Sequence, residues 1–153
     1  MMRQAEQLMN DWMRHRRVLQ EMLLLVGDEH MHFKPWDGAM PLAELTLHLV
    51  QWNEVFVKMV KTGDATPPDP IKCKTMADLR QAVAERTERT KAAFASLTDA
   101  ELELKRVFSS GFEGTGKMFL TMMYDHEIHH KGQLFVYLRM CGVKELPFFR
   151  DYR

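Results

Sequence analysis

The sequence predicts an all-α protein, a four-helix bundle, on three observations. Apolar residues recur at three- and four-residue intervals through four long segments. The breaks between those segments collect Gly, Pro and Asp, and no convincing stretch alternates apolar with polar residues as a half-buried strand does. With 153 residues, 46% of them hydrophobic, the chain can bury one sizeable core, and residues 1–153 are expected to form a single domain.

The first helix is expected over about residues 3 to 26, where Ala5, Leu8, Trp12, His15, Leu19, Met22, Leu23 and Val26 fall on one stripe. Gly27 should end it. Residues 27–40 mix turn formers with Phe33 and Trp36, and should pack over one end of the bundle. Pro41 suits the first turn of a second helix, where its missing N–H costs nothing. That helix carries Leu45, His48, Trp52, Val55, Phe56 and Met59 on its inward side and should fade before Gly63.

Residues 62–74 contain Pro67, Pro68 and Pro70 and cannot stay helical. Thr75-Met76-Ala77-Asp78 resembles a capping box with Asp in place of the usual Glu, and opens a third helix to about Leu97. An extended connection of about 13 residues reaches about 43 Å, and a 20-residue helix spans about 30 Å. The loop is therefore long enough to return along the bundle and leave helices two and three parallel. Thr98 to Leu102 can form a short helical turn, followed by a stretch broken at Gly111, Gly114 and Gly116. A fourth long helix is expected from about Lys117 to Met140, with Gly142 as its stop.

Composition narrows the function classes. Lys+Arg and Asp+Glu both number 21, so no basic excess is present to neutralise a phosphate backbone, and nucleic acid is not expected as a partner. Cys73 and Cys141 are too few for a disulfide framework, and the amino terminus lacks the apolar run of a secretory signal, which points to a reduced, cytoplasmic protein. No segment approaches the roughly 20 apolar residues that cross a bilayer, so no membrane partner is expected. The 13 methionines are read as adaptable packing.

His126 and His130 lie one turn apart in the last helix. A wheel drawn through Phe119, Met123, His126, His130, Gln133, Tyr137 and Cys141 puts the pair at the centre of the core-facing stripe. Buried unpaired imidazoles lose hydration without return, whereas a divalent ion takes a lone pair from each and leaves the other nitrogen to donate. His48, at the middle of the inward face of helix two, is the best third ligand. Three histidines leave a coordination position for water, as in catalytic zinc sites. Zinc or nickel is expected, with iron and copper also compatible with imidazole. A hydrogen-bonded structural histidine is the competing reading for His48.

His129 falls to the side of the pair, and His15 sits on an apolar stripe without a second coordinating neighbour in its helix. His30 and His32 belong to a connection. Glu127 and Gln133 are the candidate catalytic helpers: Glu127 projects to the flank, as a solvated helix residue or a neighbour of the metal-bound water, and Gln133 can orient a histidine, donate to an oxygen ligand or simply bridge two backbones. Glu44 can accept from the imidazole of His48 or stabilise its own helix terminus. Trp52 and Tyr137 are core packing or pocket wall. The letters His-Glu-x-x-His also spell the zinc-protease motif, but no histidine follows His130, only Glu145 and Asp151 remain as acids, and no strand is evident to hold a peptide.

Taken together, His48 and the run His126-Glu127-Ile128-His129-His130-Lys131-Gly132-Gln133 resemble the DinB family. The resemblance extends to Lys34-Pro35, Glu44-Leu45 and Leu138-Arg139-Met140-Cys141-Gly142, and so to nearly the whole chain. It implies a four-helix bundle with an up-down-down-up path and a long crossover between helices two and three. It also implies a divalent metal held by His48, His126 and His130, with His129 matching no ligand. Lys131 replaces the arginine common in the family after the last ligand. The resemblance further implies chemistry like that of relatives that are thiol-dependent transferases or an isomerase using a low-molecular-weight thiol, with a small molecule or such a thiol as partner. An open metal position that activates water adds a metal-dependent hydrolase to the expected activities. The alternative is a non-catalytic, metal-stabilised bundle or sensor, and a third class is a metal-free interaction module. A homodimer is compatible with the apolar content, and Leu146-Pro147-Phe148-Phe149 can seal a bundle end or meet a second copy.

Overall fold

The computed structural model describes residues 2–108 and 110–153. Four long helices, α1 (Gln4–Leu23), α2 (Leu42–Thr62), α3 (Met76–Ala95) and α5 (Gly116–Met140), make the bundle. A short helix α4 (Asp99–Glu103) and an antiparallel hairpin of β1 (Lys105–Val107) and β2 (Glu113–Thr115) link α3 to α5. The helix ends follow the local chemistry. The side chain of Thr75 accepts from the Asp78 N–H at 3.1 Å, and Asp78 accepts in return from the Thr75 N–H at 3.2 Å, closing the expected box with Asp in the Glu role. Asp28, from a single 3-10 turn (Asp28–His30), adds an acceptor for the Met76 N–H at 2.8 Å. Gly63 ends α2 at φ 78°, a left-handed conformation that a side chain would strain.

α1 and α2 each pack between α3 and α5. Arg3, at the start of α1, donates to the Leu97 carbonyl beyond the end of α3, and Arg80, near the start of α3, donates to the Leu23 carbonyl at the end of α1. These two helices therefore run antiparallel. Lys61, at the end of α2, donates to the Ser96 carbonyl at the end of α3, so those two run parallel. The result is the up-down-down-up bundle, with residues 63–75 as the long crossover.

Apolar burial gathers at the two ends. One end combines Leu19, Met22, Leu49, Leu79, Leu134 and Leu138, and the other Ala5, Trp12, Val57, Phe94, Leu97 and Phe119. Polar and charged side chains are buried between them, at Arg16, Asn53, Thr87 and Glu127. Gly116 opens α5 where a Cβ would stand 2.8 Å from both the Glu101 carbonyl and Val60 Cγ1, so only glycine lets α5 approach α4 and α2 this closely.

Two sequence expectations are corrected. The stretch after α4 holds two short paired strands, with Gly111 at φ 88° in the tight connection between them. The inward face of α5 is rotated from the stripe drawn through the histidines: Met123, Glu127, Lys131, Leu134 and Leu138 are buried, and Gln133 is exposed. His126 and His130 thus sit at the edge of the buried stripe, and Glu127 lies at its centre rather than on the flank. Charged residues can occupy that centre because each finds partners there. Lys131 reaches His15 Nδ1 at 2.7 Å and the Phe149 carbonyl. The aromatic tail lies along α1, tied by the Asp151 N–H to the Arg14 carbonyl at 2.9 Å and by Arg17 to the Asp151 carboxylate at 2.8 Å. Leu146 packs on the core, while Phe148 and Phe149 are exposed.

Candidate metal centre

His48 of α2 meets His126 and His130 of α5 where the two antiparallel helices cross. Ring centroids lie 5.1 Å apart for His48 and His126, 4.8 Å for His48 and His130, and 4.4 Å for His126 and His130. One nitrogen from each ring falls within 4.8 Å of the others. His48 Nε2 and His126 Nε2 are 3.3 Å apart. With metal–nitrogen bonds of about 2.0–2.1 Å, two tetrahedral ligands sit about 3.3–3.4 Å from each other, so this pair already has the spacing that one ion imposes. The three sequence-predicted ligands therefore form a site capable of coordinating a metal, and no fourth His, Cys, Asp or Glu joins the cluster among the described residues.

The remaining ring nitrogens have their own partners. His126 Nδ1 lies 2.8 Å from Asn53 Oδ1, and His130 Nδ1 lies 2.7 Å from Gln133 Oε1. Gln133 thus orients the His130 ring from an exposed position. Glu44 is exposed, and no hydrogen bond joins it to His48 among the described residues. His129 is exposed beside His130, at 4.7 Å between ring centroids, outside the cluster. His15 is buried behind the site: its Nε2 is 3.2 Å from the Tyr124 hydroxyl, and its Nδ1 accepts from Lys131.

Electrostatics favour metal-ready, neutral imidazoles. Burial, reinforced by the neighbouring His130 and His48, pushes His126 down to about 3. Burial and His130 lower His48, and burial lowers His130 against the opposing effect of its bond to Gln133. Lone pairs are then available at neutral pH without competition from protons.

Glu127 is completely buried. Its Oε1 accepts from Trp12 Nε1 at 2.9 Å, Arg16 Nη2 at 2.8 Å and Asn53 Nδ2 at 2.7 Å, while Oε2 accepts from Arg16 Nε at 3.0 Å. Burial alone would raise its pKa, but Arg16 outweighs that penalty with help from Trp12 and Asn53, and the carboxyl stays below its ordinary range. The sequence reading missed Trp12, Arg16 and Asn53 as site residues. The signal available was spacing: Arg16 continues the Trp12–Leu19–Leu23 stripe of α1, and Asn53 interrupts an otherwise apolar inward face of α2.

On the other side of His126, Phe56 lies 5.9 Å from its ring and stacks on Phe108 at 5.2 Å. Trp52 touches the same Phe108 at 5.9 Å. Phe108 follows β1, so the unexpected hairpin delivers an aromatic wall next to the histidines.

Comparison with known proteins agrees with this architecture. The chain is 34% identical to the uncharacterized protein YjoA of Bacillus subtilis over 150 residues, 97% of each chain. The crystal structure of that DinB-like protein matches with a TM-score of 0.84 at 31% identity, over 95% of this chain and 99% of that one. YfiT of Bacillus subtilis, described as a probable metal-dependent hydrolase with an unusual four-helix bundle topology, shares the fold at TM-score 0.70 and 15% identity, over 92% and 89% of the two chains. The mycothiol-dependent maleylpyruvate isomerase shares it at TM-score 0.67 and 14% identity, over 85% of this chain and 60% of that one. The DinB family pattern matches residues 1–152. On that match, and on its identity to YjoA over nearly its full length, the chain belongs to the DinB family.

Proposed function

We propose that the protein is a metal-dependent enzyme in which His48, His126 and His130 hold one divalent ion, zinc or nickel, whose open coordination position activates water or a small thiol. The observation that carries this reading is the convergence of three imidazole nitrogens from two helices, with no fourth ligand residue in the cluster among the described residues. When bound, such an ion lowers the pKa of a coordinated water or thiol, so that a nucleophile is present at neutral pH. The hydrolase and thiol-transfer arms of the proposal draw on YfiT and the mycothiol-dependent isomerase, which share this fold.

The chain's own residues supply orientation and shape. Gln133 fixes the ring of His130, and Glu127 acts through Asn53 on His126 instead of working as a zinc-protease base. Phe56, Phe108 and Trp52 give the site an apolar border that suits a small organic electrophile. A second reading, metal-stabilised without turnover, has one observation in its favour: the hydrogen bonds around Glu127 reach all four long helices, through Arg16, Asn53 and Thr87. An ion at His126 would then brace the bundle.

Tag-free protein dialysed and subjected to elemental analysis should carry one metal per chain, and His126→Ala should abolish it. Metal-loaded protein should consume an activated ester or, with a low-molecular-weight thiol, an electrophile. Metal retention by His126→Ala would sink the site assignment. Stoichiometric metal that raises the melting temperature with no turnover in either assay would favour the bracing role.

A further inference from the structure

We propose that Arg16, Glu127 and Asn53 form a relay that fixes the tautomer of His126, with Asn53 as the positioning residue that presents Nε2 for metal binding. The argument runs through obligate donors and acceptors. Trp12 Nε1 and the guanidinium nitrogens of Arg16 can only donate. Both place a donor on Glu127 Oε1, so that oxygen is an acceptor toward every group around it. Asn53 meets the same oxygen at 2.7 Å and must therefore turn its amide nitrogen toward it. With the nitrogen committed, the amide oxygen faces His126 Nδ1 at 2.8 Å. An amide oxygen cannot donate, so Nδ1 carries the proton, and Nε2, 3.3 Å from His48 Nε2, carries the lone pair.

Each member of the relay is held in place. Arg16, Asn53 and Glu127 are all at 0% exposure. Arg16 is fixed further by donating to the Thr87 hydroxyl at 2.8 Å and by lying over the Trp12 ring at 4.7 Å from its centroid. The Thr87 hydroxyl donates to the Val83 carbonyl at 2.7 Å, and so accepts from Arg16. An amide flip at Asn53 would oppose its oxygen to the acceptor Glu127 Oε1, a clash that no tautomer of His126 relieves. The relay therefore has one consistent arrangement, set from α1 and α3, which contribute no ligand. His130 lacks such a support: its partner, Gln133, is exposed and belongs to the same helix.

The tautomer claim stands on the metal-free protein alone, and only its consequence for affinity rests on the proposed metal site. Long-range proton–nitrogen correlation on 15N-labelled apo protein at pH 7 should show His126 protonated at Nδ1 only. Asn53→Ala, with folding checked by circular dichroism, should populate the Nε2–H form and weaken zinc binding about 10- to 100-fold in a chelator competition titration. A wild-type His126 protonated at Nε2 overturns the relay, whether or not the variant folds. An unchanged tautomer in Asn53→Ala does the same. An altered tautomer with unchanged zinc affinity overturns the role of Asn53 in metal binding. If the wild-type chain takes up no zinc but His126 is Nδ1–H, the relay stands and the metal reading fails.

Discussion

Removing the Glu127 carboxylate with Glu127→Ala tests whether this residue anchors the core. In the native chain Arg16 has no exposed surface and spends two of its hydrogen bonds on Glu127, at 2.8 and 3.0 Å. After the substitution the guanidinium keeps one side-chain partner, Thr87, and its charge is left without a counterion. Breaking a buried pair in this way costs about 3–5 kcal/mol, because the surviving charge stays desolvated. For a domain whose total stability is about 5–15 kcal/mol, that is a large share. In a chain of this size each kcal/mol moves the melting temperature by about 2–4 °C, so the expected drop is roughly 6–20 °C. The assay is thermal and urea unfolding of the wild type, Glu127→Ala, and the cycle of Glu127→Met, Arg16→Met and the double variant Arg16→Met/Glu127→Met, all held metal-free with a chelator. The double variant buries no charge and should be more stable than either single variant. If Glu127→Ala unfolds within about 1 kcal/mol of the wild type, or if the double variant loses the sum of two single losses, the buried pair is not what holds this layer together.

Other substitutions probe separate parts of the fold. Thr75→Ala removes the acceptor for the Asp78 N–H at the start of α3 and should cost about 1 kcal/mol in urea unfolding. Gly116→Ala drives a Cβ to 2.8 Å from the Glu101 carbonyl and should cost about 1–3 kcal/mol through displacement of α4, visible in the same measurement. The pH profile should report His15, which burial, Lys131 and Arg150 hold down to about 4 from an ordinary 6.5. The unfolded chain binds more protons at this residue between those values, so its contribution to stability is complete above pH 6.5 and lost as pH falls through 4. His15→Phe should flatten the stability slope across that window, and an unchanged slope would assign the acid sensitivity to other groups.

The bundle was legible because its helices are amphipathic and its breaks are chemically explicit. Thr75 and Asp78 announce α3, Gly63 and Gly142 announce two helix ends, and the proline-rich crossover is long enough for parallel neighbours. The convergence of three histidines was legible because His48 and the His126/His130 pair lie on helical faces directed at one another. The polar layer was not, since hydrophobic periodicity treats a charged residue as a vote for solvent. Arg16, Glu127 and Lys131 each break that rule by bringing a partner from another helix or from the tail, and those partnerships exist only after packing. The hairpin escaped for a different reason. Its three-residue strands are too short for alternation to register, and Gly114 and Gly116 read as breaks although Gly116 marks a tight helix contact.

The run His-Glu-x-x-His shows how much of a motif's meaning lies outside it. Spacing places His126 and His130 on one edge of α5, and advances Glu127 by about 100° around the helix. In a zinc protease that offset serves proton transfer because the glutamate faces the reacting water. Here α1 approaches α5 on that side, and Arg16 and Trp12 supply three donors to the carboxylate before any substrate arrives. Asn53 supplies another and joins the same oxygen to His126. A carboxylate so committed would have to break charged, buried hydrogen bonds to accept a proton, at a cost well above that of a free general base. What α1 brings to the core decides the matter: with an apolar residue at position 16, the same five letters would leave Glu127 without its principal counterion, and its burial would no longer be tenable.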